Sequence, residues 1–317
     1  MPTSTSKSSN TVGICLGDPS GIGAEVTAKA LRDPSVRRLS RFVIIGDTAL
    51  FKKYFPQRYS NCEFVDTHPA DQGKRPMGKV NRNSGKAALS YLEKAVRLIK
   101  TKKIRALITA PLCKESVCFT KKNFQGHTEY LAETFGVKNP GMMFVSDKIR
   151  TIIATRHMAV SRVSRALTPG LIYETIALTD KALKGLFHCR SPRIAICGLN
   201  PHASESGKFG HEEQTKIIPA IKKAKKNGIK VAGPFAADTL FIPFIAQKFD
   251  AVVAMYHDQG LIPVKSLHFA KLVNLTLGLP FIRTSPAHGT AFDIAGKNKA
   301  NPQSMVEAIK LAVRLSK

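Results

Sequence analysis

The sequence predicts an α/β protein built on a mostly parallel sheet that is covered on both faces. Three observations predict it. Apolar runs that read as buried strands recur along the chain, segments with helical spacing lie between most of them, and 43% of the 317 residues are apolar, which suits a globular chain with a sizeable core.

Taken in order, "TVGICLG" is the first strand-like run, and "GDPSGIGAEV" (Gly17 to Val26) leaves it to open the first long helix. The glycines there permit close backbone approach and a helix N-terminus that attracts anions, but the pattern is neither G-x-G-x-x-G nor a P-loop. A plain strand-to-helix turn and a ligand loop both remain open. Further strands are expected at "RFVIIGD", "IRALITA", "RTIIATR", "RIAICGL", "IKVAGPF", "DAVVAMY" and "KLVNLTLG". In "SGKAALSYLEKAVRLIK", Ala88, Leu92, Ala95, Val96 and Ile99 share one helical face. "FQGHTEYLAE" places His127 and Thr128 at a helix start, with Glu129 and Glu133 favourable in its first turns. At the end, Asn301 and Pro302 offer an N-cap and N1 to a helix whose inner face is Met305, Ile309, Ala312 and Val313. There is no internal repeat or low-complexity linker, so the chain forms one large unit or two lobes, the last helix returning to the first.

Composition narrows the function. No apolar run approaches the ~18 residues that a membrane-spanning helix needs. The polar opening "MPTSTSKSSN" lacks the apolar stretch of a secretory signal and reads as a frayed tail, so a cytoplasmic protein is expected. Six scattered cysteines with no CxxC pair, several inside apolar runs, fit reduced, buried thiols better than bridges or a metal site. With 49 Lys+Arg against 22 Asp+Glu, the net charge of +27 favours anionic partners. The densest basic runs, "IKTKKIR" and "KKAKKNGIK", sit at helix ends before strands, where cations suit the helix dipole and stay solvated. No RNP-like motif or zinc-finger spacing supports a specific nucleic-acid partner, which stays a remote alternative carried by charge alone.

In parallel α/β sheets ligands bind beyond the carboxyl ends of the strands. Of nine histidines, His157, His202 and His257 each follow such a run, after "TIIATR", "RIAICGLNP" and "DAVVAMY". Three imidazoles converging there would leave positions open on a divalent metal; three separate capping or core histidines are the alternative. A metal hydrolase is conceivable, but no activated-water base stands beside them. For His127 and Thr128 the choice is a cap or an anion site. Asn274, polar within an apolar strand, would cost ~1–3 kcal/mol without a partner. Arg283 could clamp a phosphate or carboxylate with two hydrogen bonds; for Arg283 or Lys265 taken alone, a surface salt bridge is the plainer reading.

Several segments together, "GDPSGIGAEV", "APLCKES", "GHTEYLAE", "GLNPHASES", "ADTLF", "MYHDQGLIPVK" and "VNLTLGLPFIRTS" followed by "HGTAFDIAGK", resemble in order and spacing the 4-hydroxythreonine-4-phosphate dehydrogenases of vitamin B6 synthesis. The resemblance runs from about residue 12 to the C-terminus. It implies a three-layer α/β/α architecture like that of isocitrate and isopropylmalate dehydrogenases. Two subdomains with a cleft between them would span 1–136 plus 284–317 and 137–283. It also implies a homodimer with its active site at the interface, NAD (or NADP) as cofactor, and a divalent metal, zinc or magnesium or cobalt, on His157, His202 and His257. The substrate-binding positions fall on His127, Thr128, Lys265, Asn274 and Arg283. Lys265 is the proton donor or charge balance, and Asp238 and Asp258 are candidates for orienting histidines or carrying protons. No standard dinucleotide fingerprint marks the cofactor contacts.

The implied reaction oxidises 4-phosphooxy-L-threonine at C3 and then decarboxylates the 3-oxo acid to 3-amino-2-oxopropyl phosphate. Three positions depart from the family's usual pattern: "RHMAV" stands where "THLPL" is common, "NPHASE" replaces "NPHAGE", and Ala287 replaces an acidic residue before His288. The departures open an alternative substrate, a 4-phosphorylated sugar acid such as threonate or erythronate.

Overall fold

The computed structural model describes residues 11–57, 59–67 and 74–317; the polar opening segment lies outside them. The described strands are β1 (Thr11–Cys15), β2 (Arg41–Gly46), β3 (Cys62–Asp66), β4 (Ala106–Thr109), β5 (Gly141–Val145), β6 (Arg150–Ile153), β7 (Arg193–Cys197), β8 (Lys230–Phe235), β9 (Ala251–Ala254), β10 (Val273–Leu277) and β11 (Ile282–Pro286). The chain divides into two units, residues 1–138 with 279–317 and residues 139–278. The sequence boundaries were expected at 136/137 and 283/284. The difference matters for one residue, because Arg283 lies in the first unit.

In the first unit the strand order is β3-β2-β1-β4-β11, and every pairing is parallel. Successive side chains point to opposite faces. Cys15, Val43, Ile45 and Leu107 join one buried cluster with Ala88, Leu92, Ala95, Val96 and Ile99 of the helix Arg82–Lys100. Their neighbours Ile14, Ile44 and Ile108 are equally buried, so both faces are covered. That helix starts where Asn81 Oδ1 accepts the Ser84 N–H at 2.8 Å. The terminal helix Gln303–Leu315 buries Met305, Ile309, Ala312 and Val313, packs on β11 and β4, and meets the first helix Gly23–Arg32. Its N-cap is Pro302 and not the expected Asn301. Asn301 still serves the helix end, since its Oδ1 accepts the Gln303 N–H at 2.9 Å.

In the second unit the order is β10-β5-β6-β9-β7-β8. β6, β9, β7 and β8 pair in parallel, whereas β5 is antiparallel to both β6 and β10. Leu178, on the helix Pro169–Gly185, lies with Ile152 around Gly141, while Gly260, on the helix His257–His268, lies against Thr151 and Ile153. The two helices therefore cover opposite faces of β6. Gly260 permits this close approach: a Cβ there would stand 3.0 Å from Ile153 and 3.1 Å from Ala254. The helix that begins with His257 is thereby seated directly on the ends of β6 and β9.

The eight strand-like runs all form strands, and β3, β5 and β11 are additional. "CEFVD" and "IRTSP" carry polar residues among apolar ones, and "GMMFV" is short, so none stands out as a long apolar run. Among the described residues, no helix is long and apolar enough to cross a membrane. All six cysteines are free, and Cys15, Cys62 and Cys197 are buried.

Candidate active site

The "GDPSGIG" loop takes the turn reading. Gly17 has φ +71, and a Cβ there would stand 2.2 Å from the Pro111 carbonyl oxygen. A Cβ on Gly23 would stand 2.2 Å from the Leu16 oxygen. Protein backbone fills the space these glycines leave. Asp18 is fully buried, and its Oδ1 accepts the Ser20 N–H at 2.8 Å, closing the turn.

Arg283 is the centre of the first unit's polar chemistry. β11 pairs with β4 so that Arg283 opposes Leu107 and its side chain reaches Thr109 at the end of β4. Nε and Nη2 donate to Thr109 Oγ1 at 3.1 and 2.6 Å, and Nη1 donates to Thr128 Oγ1 at 3.3 Å. Arg283 is only 2% exposed, so the surface-salt-bridge reading fails for it. Burial pushes its pKa down to about 10, partly offset by the Glu129 carboxylate, and the guanidinium stays charged at neutral pH. Thr109 and Thr128 thus hold the buried guanidinium in place, with the Glu129 carboxylate favouring its charge.

His127 begins the helix His127–Thr134, as expected, with Gly126 as N-cap at φ 140. Its Nε2 is buried and has no hydrogen-bond partner. Burial first, then the charges of Arg283 and Lys114, hold its pKa well below 6.5. It is a neutral imidazole beside a buried guanidinium. Thr128, the next residue, is buried and already engaged by Arg283.

The second unit holds the other candidates. His157 and His257 come together with ring centroids 5.5 Å apart. Asp258 Oδ1 lies 2.7 Å from His257 Nδ1, a carboxylate placed to orient the imidazole ring. Imidazole donor chemistry fits a divalent ion. His202 is not grouped with these two: among the described residues, no three His, Cys, Asp or Glu side chains are arranged to hold a metal. His157 and His257 are thus brought together, while His202 lies on the turn that follows β7.

His202 instead sits in an unusual turn. Residues 202–206 all have positive φ, between 42 and 70°, in a left-handed stretch without glycine. Each such residue costs roughly 1–2 kcal/mol relative to right-handed geometry, so surrounding bonds must hold the turn in place.

The remaining candidates lie on other elements, the helix of Asp238 packing against the His202 turn. Asp238 is exposed in the short helix Ala237–Leu240, and its Oδ1 accepts its neighbour's N–H, from Thr239, at 2.9 Å. Lys265 is half-buried in the helix His257–His268. Asn274 on β10 opposes Phe144 of β5, and its Oδ1 is buried without a partner. Sequence reasoning missed Thr109; the one signal it gave is that a hydroxyl residue closes the apolar run "ALIT".

The matching family model is "Pyridoxal phosphate biosynthetic protein PdxA", over residues 32–312. A 4-hydroxythreonine-4-phosphate dehydrogenase from Desulforapulum autotrophicum is 40% identical, covering 95% of this chain and 94% of that protein. A D-threonate 4-phosphate dehydrogenase from Cupriavidus necator is 42% identical, covering 96% and 97%. The crystal structure of a Klebsiella pneumoniae 4-hydroxythreonine-4-phosphate dehydrogenase is 34% identical, with a TM-score of 0.85 over 98% of this chain and all of that one. A β-decarboxylating dehydrogenase from Thermococcus kodakarensis is similar in fold alone, at 15% identity and TM-score 0.53, in line with the expected fold class. With a family model covering most of its length and relatives this similar over nearly all of it, the chain belongs to the PdxA family.

Proposed function

We propose that this chain is a dehydrogenase that uses a nicotinamide cofactor, NAD, and a divalent metal to oxidise 4-phosphooxy-L-threonine at C3 and release carbon dioxide, giving 3-amino-2-oxopropyl phosphate for vitamin B6 synthesis. The observation that carries the reading is the buried, charged Arg283, held by Thr109 and Thr128 beside the neutral His127. A guanidinium with hydroxyls and a helix N-terminus next to it matches a phosphate or carboxylate oxygen set.

In this reading Arg283 and Thr128 bind the anionic end of the substrate, and the neutral His127 adds a hydrogen bond without adding charge. Asn274, with its unpartnered Oδ1, accepts a hydrogen bond from a substrate donor. Lys265 returns a proton after carbon dioxide leaves. Asp258 orients His257, and Asp238 serves as a proton carrier at the protein surface. His157, His257 and His202 would hold the metal, zinc or magnesium or cobalt, which when bound acidifies the substrate hydroxyl and stabilises the charge left by decarboxylation. An oxidised nicotinamide, when bound, would supply the hydride acceptor. The His157–His257 pair would supply two of the ligands, and a homodimer in which the other copy supplies His202 would complete the set.

A second reading is favoured by the Cupriavidus necator relative, named for D-threonate 4-phosphate, and by the "RHMAV" and "NPHASE" departures. The deciding experiment measures NADH formation by the purified chain with 4-phosphooxy-L-threonine, 4-phosphothreonate and 4-phosphoerythronate, with and without divalent metal. Preference for the amino acid supports the first reading, and preference for a sugar acid supports the second. No NADH from any of them, or full activity in thoroughly demetallated protein, rejects the metal-dependent dehydrogenase.

A further inference from the structure

The loop that leaves β7 toward His202 is gripped from two sides. Glu213, 1% exposed, accepts the Leu199 and Asn200 N–H groups on Oε1 at 2.7 and 2.8 Å, and the Asn200 side-chain amide on Oε2 at 2.8 Å. Glu212 accepts the same amide nitrogen at 2.8 Å and the Ser164 hydroxyl at 2.6 Å. On the other side, Gln259 Nε2 donates to the Gly198 carbonyl at 2.7 Å, and its Oε1 accepts the Met255 N–H at 2.6 Å. Gln259 lies two residues after His257, on the same helix. One side-chain amide therefore ties the end of β7, which leads to His202, to the end of β9, which leads to His257.

We infer that Glu213 and Gln259 are positioning residues, which hold the His202 turn and the His257 helix start in fixed register with each other. Neither side chain bonds a histidine. They act on backbone: four of the pair's five bonds named above satisfy main-chain groups of the two strand ends. A left-handed run from His202 to Ser206 cannot hold itself, and the bonds on Leu199 and Asn200 fix the chain direction immediately before it. The chemistry of each grip is specific. A glutamine in place of Glu213 must turn its NH2 either to the two backbone N–H groups or to the Asn200 amide, so a donor meets a donor in both orientations. A methionine in place of Gln259 keeps length and loses both bonds.

The inference rests on the proposed metal role of His202, and its test separates the two. Full-length wild type, Glu213→Gln, Gln259→Met and His202→Ala are stripped of metal and titrated with Co2+, and thermal midpoints are recorded beside the binding curves. Outer contacts that orient ligands typically change metal affinity 10–100-fold. The expected result is that Co2+ Kd rises about tenfold in both positioning variants and more in His202→Ala, while all remain folded. At saturating metal, kcat of the positioning variants should fall several-fold. Weakened binding in His202→Ala with wild-type binding in folded Glu213→Gln or Gln259→Met overturns the inference alone, and a lowered thermal midpoint without a change in Kd does the same. Wild-type binding in His202→Ala overturns the ligand assignment, and the inference with it. Should Glu213→Gln not fold, Gln259→Met decides by the same criteria.

Discussion

Arg283 is 2% exposed and already bonded to Thr109 and Thr128, whereas His202 is exposed and lies in a turn of left-handed residues braced at Leu199, Asn200 and Ser204. In the first unit the fold itself bears the desolvation of a charged group and keeps its hydroxyl partners in place. In the second unit the polar bonds sit one layer back, on Leu199, Asn200 and Gly198, and the imidazole is left open. The difference teaches that a buried charge must find its partners within the fold, whereas an exposed imidazole needs only the backbone that carries it to be braced.

The sharpest break of this comparison is a subunit-complementation test. His157→Ala, His202→Ala and His257→Ala should each be inactive. Since His157 and His257 are neighbours, co-expressing those two variants should give no rescue. His202→Ala paired with either one should recover roughly a quarter of wild-type activity, because half the dimers are mixed and each keeps one intact site of two. Rescue in the His157/His257 pairing, or none in the other two with mixed dimers confirmed by mass, would refute the shared ligand set.

Next in size is Arg283→Ala. It removes a buried charge-assisted contact and should lower kcat/KM for the phosphorylated substrate about a hundredfold or more. Removing the substrate phosphate should then hurt the wild type far more than the variant. Equal losses would mean that Arg283 does not meet that group. Thr109→Val should have a smaller effect, about tenfold in KM, because the guanidinium keeps its charge but loses the acceptor of two N–H groups. Thr109→Ser should restore binding; a serine variant as poor as the valine one would assign Thr109 to packing only.

The smallest effect concerns pH. His127 has its folded pKa held well below 6.5, so it is neutral in the folded protein and takes up a proton on unfolding in mild acid. Its contribution is fully present above the unfolded value near 6.5 and is lost as pH falls below it, at up to about 1.4 kcal/mol per pH unit. His127→Asn should therefore flatten the fall of stability between about pH 6.5 and 5. Identical slopes in denaturant titrations of both proteins would show that His127 does not titrate on unfolding. The same argument predicts no inflection from His127 in kcat/KM near pH 6.5.

Sequence alone determined the α/β class, because buried parallel strands must be continuous apolar runs and amphipathic helices must repeat at 3.6 residues. It determined His157, His202 and His257 as strand-end histidines and His127 as a helix start, because each is local to a recognisable element. It missed β3, β5 and β11, whose residues are mixed or whose runs are short; their pairing comes from neighbours distant in sequence. Only the tertiary structure decided that Arg283 belongs with Thr109 and Thr128, residues 174 and 155 positions away, because a guanidinium's burial depends on strands that meet across the chain. Only it paired His157 with His257, and gave Glu213 and Gln259 their grip on the turn. A sequence states which groups are available, but the direction of a side chain after a strand end is set by backbone angles, and those are fixed by bonds made elsewhere in the fold.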